Sequence, residues 1–245
     1  MPDNYKVALV AALDREVRPL VRIWRRVERV HDGRKFQFYE SGHSVLVCGG
    51  IGGDAARRAT EAVIALYHPR MVWSVGFAGA LERAMTVGEI VSASRIIDSR
   101  DGSCTETGTG RDVLVSAASI AGLEEKKRLA QAYQAQAVDM EASAVARGAQ
   151  ARGIAFAATK AISDEAGFAL PAMDAFVDGT GRFRTCKFVV HCALRPWLWA
   201  RMLRLARNSA KAACALCAEL ERSIRTFDEL KDLGQQLDSA SKVAN

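Results

Sequence analysis

At 245 residues, 49% hydrophobic and 25% charged, the chain can bury a substantial core and has the composition of one ordinary α/β domain. Lys and Arg number 34 against 28 Asp and Glu; the net charge of +6 permits contact with phosphate, anionic lipid or nucleic acid without choosing among them. No apolar run is long enough to span a bilayer, and Met1-Pro2-Asp3-Asn4-Tyr5 lacks the basic-then-apolar pattern of a signal peptide, so a cytoplasmic protein is expected.

The six cysteines (Cys48, Cys104, Cys186, Cys192, Cys214 and Cys217) lie mostly among apolar neighbours and read as small hydrophobes of a reduced protein. Cys214 and Cys217 have redox or zinc spacing but no second pair, so no metal is expected.

Lys6 to Leu13 is an apolar run of strand length, the pattern of a central parallel strand. A helix opens at Asp14-Arg15-Glu16, with Val17, Leu20, Val21 and Trp24 at helical spacing. Taken alone, Glu16 is a surface acid favoured by the helix macrodipole. Lys35 to Glu40 and His43 to Cys48 alternate around Ser41-Gly42 and predict a hairpin. Gly49-Gly50-Ile51-Gly52-Gly53 then precedes a helix from Asp54 to about His68. Such glycines either make a tight turn or let backbone N–H groups approach an anion at the helix N-terminus.

Met71 to Val75 is a buried strand closed by Gly76-Phe77-Ala78-Gly79-Ala80-Leu81, and another strand lies within Gly88 to Asp98. The Gly/Ser/Thr-rich segment between Ser99 and Arg111 reads as a mobile surface loop. Val113 to Ser116 is a short strand, and Leu123 to Leu129 a charged surface helix with opposite charges one turn apart.

Val138-Asp139-Met140-Glu141-Ala142-Ser143 reads as a strand delivering carboxylates to the mouth of a helix, the place where open α/β sheets bind ligands. Asp139 serves there as a helix cap or as a functional acid. Ile154 to Ala166 repeats the pattern, an apolar strand ending at Ser163-Asp164-Glu165. The two strands are expected to be parallel neighbours across the intervening helix.

Gly167 to Pro171 predicts a turn over the pocket, followed by Phe176, Phe183 and Phe188 on weakly helical stretches. From Pro196, Trp197, Trp199, Arg201, Arg204 and Arg207 fall on a basic amphipathic helix, about 196–222. That helix fits a membrane surface, or packs on the sheet with its arginines reaching solvent. Residues 1–225 form one domain, and 226–245 a polar tail that frays.

The motif V-D-M-E-A-S-A-V-A, followed about twenty residues on by A-I-S-D-E-A, resembles the purine nucleoside phosphorylase and nucleosidase superfamily. The resemblance implies a single-domain three-layer α/β/α fold with a central mixed, mostly parallel sheet. It implies that Glu141 holds ribose hydroxyls, that Asp164 protonates the departing purine, and that Glu16 orients the attacking water. The Gly49-Gly50-Ile51-Gly52 segment matches the family's G-I-G loop, at the phosphate or ribose end of the pocket. Met140, Ser163, Gly76, Phe77, Ala78 and Gly79 fall where the family contacts substrate; Met140, Phe77 and Phe168 are equally plain core residues.

Two departures stand out. The family usually has Gly-Ser or Gly-Thr where this chain has Gly76-Phe77, so a phosphate-facing hydroxyl is replaced by an aromatic face. Between Asp98 and Asp139 no counterpart appears to the base-stacking aromatic of the methylthioadenosine nucleosidases.

The segment R-P-W-L-W-x-R-x-L-R-L-A-R-N-S-A is similar to the hopanoid-associated phosphorylases, which are assigned removal of adenine from adenosylhopane. That similarity implies a lipid-linked nucleoside substrate and contact with the inner face of a membrane through Trp197, Trp199, Arg201 and Arg204. Methylthioadenosine is the alternative substrate, and a non-catalytic nucleoside- or membrane-binding module the alternative of another class. No cofactor and no nucleic acid are implied; phosphate is a co-substrate if the reaction is phosphorolysis. The family's homo-oligomers imply a dimer.

Overall fold

Val7–Ala11 is apolar and buried at all five positions, the pattern of a strand covered by helices on both faces. In the computed structural model it is β1, inside a ten-stranded mixed sheet. The structure describes residues 7–168, 176, 181 and 195–243; in the last stretch the side chains described are those of 195 and 199–227.

β1 lies between β4 (Ser44–Cys48) and β5 (Met71–Ala80), parallel to both. β10 (Ala155–Asp164) adds a further parallel strand beyond β5. β6 (Ile90–Asp98), β8 (Asp112–Ser116) and β9 (Ala137–Asp139) run parallel to one another. This second set meets β10 and β5 antiparallel. Since β5 pairs with β1 through its first half and with β9 at its end, β5, β10, β6, β8 and β9 close a ring. β3 (Arg34–Ser41) and β2 (Arg25–His31) extend the other edge, and β7 (Cys104–Glu106) pairs with β6.

The helices sort onto the two faces by the alternation of β1. Ala8 and Val10 face α2 (Gly53–Tyr67) and α4 (Ala142–Gln150), in a core with Ala56, Ala59, Val63 and Val145. Val7, Leu9 and Ala11 face α1 (Asp14–Val21) and α5 (Pro196–Val243), in a core with Val17, Leu20, Trp73, Leu216 and Leu220. This is the expected three-layer single domain. α3 (Leu123–Tyr133) packs beside β9 through Leu129.

Four expectations change. The strands before the two acidic motifs are not neighbours: β5 separates them, and β9 runs antiparallel to β10. The motifs converge all the same, because Gly79 of β5 pairs with Val138 on one side and Asp164 on the other. β5 does not close at Val75 but continues to Ala80. The surface loop after Ser99 carries β7. The backbone expected to end its helix near 222 and fray stays helical to Val243. Of the segment predicted over the pocket, residues 169–171 lie outside the described residues, as do Phe183 and Phe188.

Candidate active site

α1 begins three residues after β1 ends, which puts Glu16 in the first helical turn at the carboxyl edge of the sheet. Acids there are favoured by the macrodipole, yet Glu16 is buried and its Oε2 has no hydrogen-bond partner among the described residues. Burial first, then the nearby Glu141 carboxylate, push its pKa up to about 7, while Lys160 pulls the other way. Gly76 faces it: a Cβ built there would stand 2.7 Å from Glu16 Oε2, and φ is +142°. Gly76 is therefore a glycine because the acid lies against the strand.

At the end of β9, Asp139 accepts a hydrogen bond from the Ala142 N–H (2.9 Å), capping α4, and another from Ser116 Oγ (2.6 Å). Its Oδ2 is also 2.9 Å from Lys160 Nζ, and both side chains are buried. Burial by itself lowers the pKa of Lys160, but Asp139 and Glu141 outweigh it and the net shift is upward. Of the two roles open to Asp139 in the sequence, the structure shows the cap, combined with an ion pair.

Glu141 stands at the N-cap of α4. Its Oε1 accepts from the Gly52 N–H at 2.7 Å and its Oε2 from the Met140 N–H at 3.3 Å. Burial and the adjacent Asp139 raise its pKa. Lys160 thus sits within the field of three carboxylates, Asp139, Glu141 and Glu16.

The third acid lies where β10 shifts register between Ile162 and Asp164, an irregularity that re-aims side chains. Asp164 Oδ1 accepts from Ser163 Oγ at 2.7 Å. Its Oδ2 is ion-paired with Lys126 Nζ, which also donates to the Glu165 carbonyl at 3.0 Å. The helix predicted as a charged surface helix therefore turns one lysine inward: Lys126 is 2% exposed, while Lys127 and Arg128 pair on the surface with Glu124 and Glu125.

One cavity brings the three acids together. Glu16, Glu141 and Asp164 line it with Phe77, Ala78, Gly79, Met140 and Ser163, all expected in the sequence. Lys126, Ser119 and Ile120, which the sequence reading passed over, line it as well, and α5 contributes Leu205 and Ser209. Phe168 is not on its wall but lies under the Arg204 guanidinium, 5.2 Å from the ring centroid.

The glycine loop expected at the phosphate or ribose end of the pocket lies beside Glu141, with Ile51 on the cavity wall. The N–H of Gly49 donates to the Ala11 carbonyl, that of Gly50 to Ala12, that of Ile51 to Gly181 and that of Gly52 to Glu141. All four are engaged within the protein, and the Gly52 bond ties the loop to Glu141. Arg204, expected on a lipid surface, is exposed and pairs with Glu165 at 2.7 Å. Trp199 and Arg201 are exposed, and the Trp197 side chain lies outside those described.

Among the described residues no cluster of His, Cys, Asp or Glu has the arrangement of a metal site, and no helix is long and apolar enough to cross a membrane.

A mixed sheet of this topology carries three acids at one crevice, and the chain belongs to the Phosphorylase superfamily, whose family model matches residues 6–121 and 113–191. It is an enzyme of glycosidic-bond cleavage, a nucleosidase or phosphorylase. A 5′-methylthioadenosine/S-adenosylhomocysteine nucleosidase of Staphylococcus epidermidis is 25% identical over 196 residues, 64% of this chain and 86% of the relative. The futalosine hydrolase of Helicobacter pylori superposes with a TM-score of 0.68 at 16% identity, covering 91% of this chain and 98% of that one. The 5′-methylthioadenosine/S-adenosylhomocysteine nucleosidase of the same organism gives 0.68 at 15% identity, covering 91% and 99%.

Proposed function

We propose that this chain hydrolyses the N-glycosidic bond of a purine nucleoside and that its substrate is adenosylhopane, from which it releases adenine. The observation that carries the reaction is the convergence of Glu16, Glu141 and Asp164 on one cavity. Breaking the bond between sugar and purine leaves positive charge on the ribose ring and an electron pair on the base. Glu141 holds the ribose hydroxyls and favours the cationic sugar. Asp164 hands a proton to purine N7, so the base leaves neutral. Glu16, whose Oε2 has no partner among the described residues, accepts the proton of the water that attacks the sugar. Water is preferred to phosphate as acceptor because the glycine-loop amides are engaged within the protein and Phe77 replaces the family's hydroxyl.

The lipid-linked substrate rests on the C-terminal helix. α5 lines the cavity through Leu205 and Ser209 and, over residues 199–207, exposes Trp199 and Leu203 together with Arg201 and Arg207. Exposed apolar and basic side chains along this stretch of helix suit the boundary of an anionic bilayer. The substrate's apolar body then stays in the membrane while sugar and base enter the cavity. Working as a homodimer at the inner membrane face is part of the same reading.

A methylthioadenosine/adenosylhomocysteine-type nucleosidase is the second reading, favoured by the Staphylococcus epidermidis relative. The test is free adenine released from adenosylhopane in detergent micelles and from methylthioadenosine, each with and without phosphate. Phosphate-independent release from the lipid substrate is expected. Release that requires phosphate overturns hydrolysis, release from methylthioadenosine alone favours the second reading, and no release from either leaves a binding module.

A further inference from the structure

We infer that Lys126 is a positioning residue and proton source for Asp164: it fixes the carboxylate that meets the purine and supplies the proton that leaves with the base. The inference rests on the nucleosidase reading above and adds to it a residue outside both acidic motifs.

The placement of Lys126 is costly in two ways that the fold accepts. It is the fourth residue of α3, at the end of the helix where the macrodipole disfavours a cation. It is also withdrawn from water, with 2% of its surface exposed. An ammonium taken out of water persists only when paired and hydrogen-bonded. Its partners are Asp164 Oδ2 and the Glu165 carbonyl, both just past the catalytic strand β10 or at its end.

β5 makes room for the pair. A Cβ at Gly79 would stand 2.9 Å from Asp164 Oδ2, 3.1 Å from Lys126 Cε and 3.2 Å from Lys126 Nζ. Strand, strand and helix thus meet at one carboxylate, with Ser163 Oγ on its other oxygen. Lys126 also lines the cavity itself, on the same wall as Asp164. At the opposite end Lys160 pairs with Asp139, so the two buried lysines serve different acids.

As the glycosidic bond breaks, its electron pair goes to the purine. A proton crosses from Lys126 Nζ to Asp164 Oδ2, and from there to N7, leaving a neutral amine. The proton that Glu16 takes from water returns to solvent, and the amine takes one up. Nucleoside and water become free base and free sugar, with no net proton.

The experiment follows adenine release by the full chain carrying Lys126→Met, Asp164→Asn or both, with kcat and KM measured separately and thermal melting as a control of folding. Lys126→Met is expected to lower kcat by about 10²–10³-fold, within the range of acid catalysis, with KM within about threefold. The double variant is expected to be no slower than Asp164→Asn, because Lys126 acts only through that carboxylate. It also removes both charges, so the comparison holds even where Lys126→Met alone folds poorly. An unchanged kcat in Lys126→Met, or a further loss of kcat when it is added to Asp164→Asn, overturns the inference while the wild type remains a nucleosidase. A wild type that releases no adenine from any nucleoside removes the functional reading and this inference together.

Discussion

Lys160 Nζ stands 2.9 Å from Asp139 Oδ2, and neither side chain reaches solvent. The pair joins the end of β9 to β10 across β5, and it places a cation behind Glu141 and Glu16. Two buried carboxylates facing one crevice repel each other. The Lys160 ammonium offsets part of that repulsion, and Asp139 holds the ammonium in place.

Asp139→Ala is therefore expected to be a stability variant before it is an activity variant. It strands the Lys160 charge and leaves the Ala142 N–H and Ser116 Oγ without their acceptor. Removing one partner of a buried pair costs about 3–5 kcal/mol. Urea unfolding should show a lower midpoint at an unchanged slope. A midpoint equal to that of the wild type would mean that the pair contributes nothing to the fold.

The raised pKa of Glu16 makes two linked pH predictions. In the proposed hydrolysis only the ionised Glu16 can accept water's proton, so kcat/KM for adenine release should rise with pH through about 7. Stability should move the other way. The folded state holds this proton more tightly than the unfolded chain, whose Glu titrates near 4.5, so stability falls as pH rises from about 4.5 to about 7 and stays lowered above. Glu16→Gln removes that loss and should be more stable than wild type at pH 8, by on the order of 3 kcal/mol, with no advantage at pH 4. Equal stability gaps at the two pH values would contradict a buried carboxyl that the fold holds in its protonated form.

The residues most easily read in the sequence were those whose surroundings repeat along the chain. β1, β5 and β10 are apolar runs, and the acids ending β9 and β10 stand out against them. β2 was hidden because its sequence, Arg-Arg-Val-Glu-Arg-Val-His, carries the charges of a solvent-facing edge strand. The local signal was Asp32-Gly33, both at positive φ, the two-residue turn that joins it to β3. The two buried lysines left fainter traces. Lys160 is a lone cation in an apolar strand. Lys126 lies among Glu124, Glu125, Lys127 and Arg128, but the residues three and four before it are Leu123 and Gly122, so no acid lies one turn back to pair with it. The pairing of β5 with both β9 and β10 is a tertiary fact that no stretch of sequence encodes.

Gly76 and Gly79 of β5 separate the two ends of the cavity experimentally. A Cβ at Gly79 meets the Asp164–Lys126 pair, and one at Gly76 meets Glu16 Oε2. Gly79→Ala should displace Asp164, the proposed proton donor, and lower kcat by about tenfold or more, since small misplacements of a catalytic group are costly. Gly76→Ala should impair the water-holding end and also melt at a lower temperature, because φ at that position is +142° and an L side chain is strained there. Turnover like that of the wild type in both variants would show that the strand does not press on either acid.

The first described turns of α5 decide whether the enzyme works on a membrane. From Ala212 to Leu220 the helix buries Ala212, Ala213, Leu216, Cys217 and Leu220 against the sheet, as a packed C-terminal helix does. From Trp199 to Arg207 it does not: Trp199 is 53% exposed and Leu203 60%, while Arg204 is tied to Glu165 at 2.7 Å. Packing on the sheet therefore describes the later part of the helix, and the earlier part exposes the side chains on which the proposed membrane contact rests. Replacing Trp197 and Trp199 with Ala should weaken co-sedimentation with vesicles containing anionic lipid, and Arg201→Gln should weaken it at low salt while making what remains less sensitive to added salt. Cleavage of a small soluble nucleoside should be unchanged in the same variants, because the exposed turns lie outside the cavity wall formed by Leu205 and Ser209. Unaltered vesicle binding would confine the helix to packing and leave the lipid-linked substrate without a physical route to the cavity.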